Sequence, residues 1–155
     1  MHKGKFAMTA RALVLGLFLV VGLGGSPVHA QDADRLEQDS LAEHHVVIQI
    51  SEGDAFKQKV VLNNVANLLK HYGPDRIQIE VVAYGPGLRM LFEDNSNKKR
   101  IASMMKQGVS FSACSNTMSK MDKELMDLVE GCRTVPGGVV QILERQEQGW
   151  AYIRP

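Results

Sequence analysis

The chain has 155 residues, with 18 lysines and arginines against 17 aspartates and glutamates, a formal net charge of +1. This length predicts one domain. A near-neutral chain without a basic run lacks the electrostatic footprint of a protein that binds nucleic acid or an anionic membrane surface. We therefore expect no nucleic-acid partner.

The first thirty residues have the order of parts found in a secretory signal peptide. Lys3, Lys5 and Arg11 supply positive charge, an apolar run covers residues 13–25, and Val28-His29-Ala30 offers small residues for cleavage. The alternative is a membrane anchor, but a transmembrane helix needs roughly 20 apolar residues and this run has 13. We expect cleavage after Ala30 and a periplasmic or secreted protein with no membrane association after cleavage.

Removal of residues 1–30 leaves 15 basic and 17 acidic residues, a net charge of −2. Residues 31–44 contain several acids and few large apolar groups, which predicts a flexible lead-in. The ordered domain is expected to span residues 45–155. A domain of this size can bury a core without disulfides or bound metals.

From residue 45 onward, short apolar runs alternate with helical patterns. The predicted strands are 46–50, 77–83, 109–113, 132–135 and 150–153. The predicted helices are 55–71 with Asp54 as its N-cap, a turn at 88–92, 97–106, 117–129 with Leu125 on its inner face, and 138–148, of which 139–142 could equally be extended. Strands that alternate with helices predict an α/β fold with a parallel sheet covered on both faces.

Cys114 is the residue with the strongest chemical signal. It lies where a strand ends and a helix begins, and the backbone amides of a helix start favour thiolate over thiol. A thiolate is the form that attacks sulfur. The alternative is a buried structural cysteine, which is common for this residue type.

Three predicted loops meet at the carboxyl edge of the sheet, where open parallel sheets bind ligands. They are residues 51–54, 84–88 and 114–117. In the second loop, Gly85 and Gly87 flank Pro86, so its backbone could approach a ligand closely. The alternative is a plain turn between a strand and a helix.

Two cysteines in an exported protein suggest a disulfide, but the strand order argues against one. Cys114 follows its strand, whereas Cys132 begins the next, so the two would lie about 15 Å apart at opposite edges of the sheet. A disulfide requires Cα atoms within about 7 Å. We therefore predict two separate cysteines.

Metal sites receive little support from the sequence. His44 and His45 are adjacent in a strand and would point to opposite faces. Met118 and Met121 have the spacing of core residues on a helix, so a copper site is a weaker interpretation than ordinary packing. We expect neither a metal nor an organic cofactor.

Four segments resemble the DsrE/DsrF-like (YchN-like) family, in the same order as in that family. The most specific is Gly108-Val-Ser-Phe-Ser-Ala-Cys-Ser-Asn-Thr-Met118. The supporting segments are Leu62-Asn-Asn-Val-Ala-Asn-Leu-Leu69, Val82-Ala-Tyr-Gly-Pro-Gly87 and Gly149-Trp-Ala-Tyr-Ile-Arg-Pro155. The resemblance covers about residues 45–155 and implies a three-layer α/β/α sandwich with a five-stranded, mainly parallel sheet, usually assembled into trimers or hexamers.

The resemblance also implies sulfur-relay chemistry, in which a cysteine takes up sulfane sulfur as a persulfide and transfers it to a partner protein. Cys114 matches that cysteine by position. The expected pocket residues are Ser112, Asn116, Thr117 and the segment Gly85-Pro86-Gly87. The leading hypothesis is a periplasmic sulfurtransferase or sulfur carrier with an unidentified donor or acceptor protein. The alternatives are a non-catalytic oligomeric binding module and a thiol redox sensor.

Overall fold

The computed structural model describes residues 42–155. Five strands in this range form one sheet. Its strands are β1 (His44–Ile50), β2 (Ile77–Ala83), β3 (Ser110–Cys114), β4 (Arg133–Val135) and β5 (Ala151–Ile153). Every neighbouring pair is parallel, and the spatial order is β4-β3-β2-β1-β5. The predicted α/β fold with a five-stranded parallel sheet is therefore confirmed.

Helices cover both faces of this sheet in a three-layer α/β/α sandwich. Within residues 42–155 the α-helices are α1 (Ala55–Tyr72), α2 (Lys98–Met105), α3 (Ser115–Lys120) and α4 (Gly138–Glu147). Two 3₁₀ helices, Gly85–Leu91 and Leu125–Asp127, lie in the connections. Each connection joins parallel strands, so the chain returns to the same edge of the sheet before every strand.

The larger core lies between the sheet and α1, α2 and the first 3₁₀ helix. Alternate strand residues point to one face, so Val46, Ile48 and Ile50 of β1 are all buried there. α1 contributes Val61, Val65 and Leu69, as its spacing predicted. At this helix start, the Asp54 carboxylate accepts a hydrogen bond from the Lys57 N–H at 2.9 Å, which confirms the predicted N-cap.

The opposite face is covered by α4. Its Ile142 packs with Val47, Val82 and Trp150 in a small hydrophobic cluster, against which Tyr84 is partly buried. α4 follows β4 at one edge of the sheet and precedes β5 at the other, so it crosses the whole sheet. Because α4 begins just after the carboxyl end of β4, its amino end lies at the carboxyl edge of the sheet.

The predicted helix over residues 117–129 is wrong. α3 ends at Lys120, and Asp122 adopts a left-handed conformation with φ of 51°. The side chains of Glu124 and Asp127 then cap a separate 3₁₀ helix reciprocally, which offers its backbone N–H groups partners that a continuous α-helix would not use. As a result Leu125, expected to face inward, is 59% exposed.

The remaining boundaries differ by one or two residues, and the predicted turn at 84–87 and helical turn at 88–92 form a single 3₁₀ helix. The predicted signal peptide (1–30) and most of the predicted lead-in (31–44) lie outside the described residues. β1 begins at His44, one residue before the expected start of the domain. In residues 42–155, none of the helices has both the length and the apolar character needed to cross a membrane.

Candidate functional site

Cys114 is the last residue of β3 and the N-cap of α3, at the carboxyl edge of the sheet. β3 lies between β2 and β4, so the segments that follow all three strands meet around this residue. These segments begin at Tyr84, Ser115 and Pro136. The site is thus formed by three strand-to-helix connections, in the position where parallel sheets bind ligands.

Two helices direct their amino ends at the Cys114 sulfur. Cys114 is itself the N-cap of α3, and its partner on β4, Val135, lies three residues before Gly138, the first residue of α4, so the backbone N–H groups at both helix starts lie near the sulfur. Helix amino ends carry partial positive charge, which stabilises an anion. The arrangement therefore favours a thiolate at Cys114.

The pKa of the Cys114 thiol reflects two opposing effects. Burial raises it, whereas hydrogen bonds from the Thr117 hydroxyl and from the N–H groups of Gly138, Thr117 and Asn116 lower it. The hydrogen bonds prevail, and the pKa lies below the ordinary value of 9.0. The fraction of nucleophilic thiolate near neutral pH is raised accordingly.

The Thr117 hydroxyl connects Cys114 to the loop after β2. The Gly85 N–H donates a hydrogen bond to Thr117 Oγ1 at 3.1 Å. Because this oxygen accepts from Gly85, its own proton is free to be donated to the Cys114 sulfur. Gly85 has φ of +51°, a conformation that glycine adopts without strain. A glycine at this position therefore allows the hydrogen bond to Thr117.

Pro86 and Gly87 contact the end of β1 and the loop that follows it. A Cβ at Gly87 would lie 2.5 Å from the Ile50 carbonyl oxygen, and the Gly87 N–H donates to the Ser51 carbonyl oxygen at 3.0 Å. Pro86 is exposed and packs closely against Gly53. These two residues hold the loop against the end of β1, and Gly85 is the member of the segment that reaches the Cys114 site.

Ser112 lies below Cys114 on the same face of the sheet and is fully buried. Its hydroxyl donates to Glu80 Oε1 at 2.5 Å. Glu80 is also fully buried and accepts hydrogen bonds from Gln141 and Arg145 of α4. Ser112 therefore belongs to a polar network beneath the site, with its hydroxyl turned to Glu80.

Cys114 is 5% exposed. It belongs to neither hydrophobic cluster, and its neighbour Asn116 is exposed while Ser115 and Thr117 are half-buried. The sulfur therefore lies just below the surface. A reagent must approach between the segments that follow β2, β3 and β4.

Cys132 has a different environment, and the two cysteines are separate thiols. Burial and the nearby Glu93 raise the pKa of Cys132 to about 11, which keeps it protonated at neutral pH. It lines a groove of about 640 Å³ together with Leu125 and Met126. This groove does not include Cys114, so the two thiols face different surroundings.

The two adjacent histidines lie at the opposite, amino edge of the sheet. The His44 ring contacts Tyr72 at 4.2 Å between ring centroids, and the His45 ring contacts Trp150 at 5.3 Å. Their neighbours thus lie on different elements, α1 and the segment before β5. In the part of the chain that the structure describes, no group of three or more His, Cys, Asp or Glu residues could hold a metal ion.

The sequence interpretation missed Gly138 and Glu80. Gly138 comes after a short predicted strand and directly before residues 139–142, which could equally be extended, and its proximity to Cys114 depends on the order of the strands in the sheet. A Cβ at this position would lie 2.7 Å from the Tyr84 ring, which explains the glycine. Glu80 did leave a signal, because an acid inside an otherwise apolar buried strand requires partners.

No protein-family model and no curated protein matches the chain. A solved structure of a protein of unknown function from Bacteroides thetaiotaomicron, BT1422, has a TM-score of 0.48 and 15% identity over 72% of this chain and 94% of its own. MTH1491, a protein of unknown function from Methanobacterium thermoautotrophicum, is 39% identical with a TM-score of 0.70 over 73% of this chain and 100% of its own. The chain therefore belongs to the same family as this archaeal protein.

Proposed function

We propose that the protein handles sulfane sulfur, with Cys114 as acceptor and nucleophile. The observation that carries the proposal is the convergence of two helix amino ends and the Thr117 hydroxyl on the Cys114 sulfur. The resemblance of residues 108–118 to the cysteine segment of DsrE/DsrF-like proteins supports the same chemistry. An exported member of this kind would work in the periplasm, in keeping with the signal-like first thirty residues.

The chemistry requires a nucleophilic thiolate and a donor with a sulfur–sulfur bond. The Cys114 thiolate attacks the sulfane sulfur of a polysulfide or of thiosulfate and forms a new S–S bond. The donor S–S bond breaks, and the shortened polysulfide or sulfite leaves with the electron pair. An acceptor thiolate then attacks the outer sulfur and releases the Cys114 thiolate, so the cycle needs no external oxidant.

Mass spectrometry after incubation with polysulfide or thiosulfate tests this proposal. We expect Cys114 to gain sulfur and Cys132 to remain unmodified, because the pKa of the first thiol is lowered and that of the second is raised. The Cys132→Ser variant should behave like the wild type, and the Cys114→Ser variant should gain none. Equal labelling of the two cysteines, or none at Cys114 with any donor, would exclude the proposal.

We also propose that the protein self-associates through α4. Val139, Val140 and Leu143 are each more than half exposed on this helix, although large apolar side chains are usually covered. The resemblance favours trimers or hexamers. Light scattering of the wild type and of the Leu143→Glu variant measures the molar mass in solution. A monomeric wild type contradicts the proposed self-association.

A binding module without sulfur chemistry would retain the assembly and its partner after Cys114→Ser.

A further inference from the structure

α4 is fixed to the sheet mainly through one face. Gly138, Gln141, Ile142 and Arg145 follow the i, i+3, i+4, i+7 spacing of residues on one side of a helix. Gly138 contacts the Tyr84 ring, while Ile142 enters the small cluster. The exposed apolar residues of this helix do not contribute to that cluster, so its hydrophobic attachment to the sheet is limited.

Polar contacts supply the rest of that attachment. Arg145 Nε donates to Glu80 Oε2 at 2.5 Å, and both side chains are almost fully buried. Gln141 Nε2 lies 3.1 Å from both carboxylate oxygens of Glu80. The Arg145 guanidinium also lies over the Trp150 ring, 4.5 Å from its centroid. A charge-assisted hydrogen bond in such a dry environment restricts where α4 can lie.

The ion pair and the reactive sulfur lie at two points of the same rigid element. Arg145 follows Gly138 by two helical turns, about 10 Å along the helix axis. Glu80 also binds Ser112, two residues before Cys114 on the same face of β3. The carboxylate thus contacts both the strand that carries Cys114 and the helix that begins beside that residue.

We propose that Glu80 and Arg145 are positioning residues for Cys114: their buried ion pair fixes α4 so that its amino end, at Gly137 and Gly138, stays beside Cys114. This inference rests on the proposed function and assigns two further residues to that site. The other charged group facing Glu80 is Arg133 of β4, whose guanidinium nitrogen is 3.7 Å from Oε1. Being half exposed and farther away, Arg133 leaves Arg145 as the partner that sets the position of the helix.

The test measures how fast iodoacetamide alkylates Cys114 as a function of pH, by mass spectrometry of the full-length mature protein. The thiolate sulfur displaces iodide, so the midpoint of the profile reports the thiol pKa. In Glu80→Gln, the neutral amide removes the ion pair with Arg145, and we expect the amino end of α4 to move away from Cys114. We expect a higher midpoint and a roughly tenfold slower reaction at pH 7, the effect of losing a hydrogen bond to a charged group.

Val65→Ala is the matched control, because Val65 is fully buried on the opposite face and its truncation also destabilises the protein. We expect its Cys114 midpoint to equal that of the wild type. Alkylation of Cys132, which is buried with a raised pKa, reports general opening of the fold in every variant. An equal shift in Val65→Ala would overturn the proposal, since the effect would then follow from lost stability.

A double variant, Glu80→Met with Arg145→Met, keeps the inference testable if Glu80→Gln does not fold, because apolar replacement of a whole buried pair is often tolerated. A folded variant of either kind with an unshifted midpoint would overturn the inference. Sulfur uptake is a separate readout. If the wild type takes up no sulfur but the midpoint rises in Glu80→Gln, only the proposed function is contradicted. If the wild type takes up sulfur and the midpoint in Glu80→Gln is unshifted, only the positioning role is contradicted.

Discussion

At Cys114, burial and hydrogen bonding act in opposite directions on one sulfur atom. Burial disfavours the charged thiolate, whereas donors from α3, α4 and Thr117 stabilise it. Cys132 lacks such donors, and there burial together with Glu93 raises the pKa. Burial thus acts in the same direction on both thiols, and the hydrogen-bond donors around Cys114, the Thr117 hydroxyl first, account for the opposite direction of its pKa shift.

Thr117→Val should raise the pKa of Cys114, because valine keeps the shape of threonine but removes the hydroxyl donor. Thiolate is scarce below the thiol pKa, so the rate of alkylation should fall most near neutral pH and approach the wild-type rate at high pH, where the thiol is ionised in both proteins. We expect a decrease of roughly threefold to tenfold at pH 7, as for one lost hydrogen bond.

Thr117→Ser retains the hydroxyl and should preserve the wild-type profile of Cys114 alkylation against pH. The comparison therefore separates the donor from the volume of the side chain. If the valine variant also reproduced the wild-type profile, the Thr117 hydroxyl would have no part in activating the sulfur.

The residues of the site could be predicted where the contact is local in sequence or where, as for Gly85, a loop follows a predicted strand at the carboxyl edge of the sheet. Asn116 and Thr117 follow Cys114 directly, so their N–H groups were expected near it. Gly138 comes near the same sulfur from another element, because β4, the strand that precedes it, lies beside β3. Ser112 is expected in the pocket, but its hydroxyl donates to Glu80, because a carboxylate buried in the protein requires hydrogen-bond donors.

Secondary-structure elements with clear end signals were predicted well, and α1 is the best example. Asp54 caps its start and Gly73, with φ of 84°, follows its end. α3 shows the limit of such signals. Its apolar spacing continues to Leu128, but the reciprocal caps of Glu124 and Asp127 stabilise a new start, and this pairing of two acids is not the usual capping sequence.

Asp54→Ala should lower the free energy of unfolding by about 1 kcal/mol, the typical value of an N-cap. The Lys57 N–H would lose its acceptor at the start of α1. Urea unfolding followed by circular dichroism measures the change. Asp54→Ser restores a capping oxygen and should recover most of the loss, and an alanine variant as stable as the wild type would show that the cap contributes nothing.

At the scale of the molecule, the two faces of the sheet are covered unequally. α1 and α2 pack on a large continuous core, whereas α4 is the helix that, in residues 42–155, covers the face with the small cluster around Ile142. Local stability follows buried apolar contact. The face that carries the proposed chemistry is therefore the less stable one.

Amide hydrogen exchange should be faster in α4 than in α1. The comparison is made within one sample, at a dilution where the protein is monomeric, so that self-association does not protect the exposed face of α4. The middle turns of each helix are compared, because helix ends exchange early. Equal protection of the two helices would mean that the ion pair of Glu80 and Arg145 secures α4 as firmly as the large core secures α1.

The separation of the two cysteines has a consequence for oxidation in the periplasm, the compartment that we propose for this protein. Cys114 lies beside Val135 of β4, and Cys132 precedes Val135 by three residues, about 10 Å along the strand. That span exceeds the reach of a disulfide, so Cys114 and Cys132 of one molecule cannot form an internal bridge without a change in the backbone. Any thiol that forms a disulfide with Cys114 must come from a different molecule. The lifetime of the reduced form therefore depends on the concentrations of the protein and of the other thiols around it.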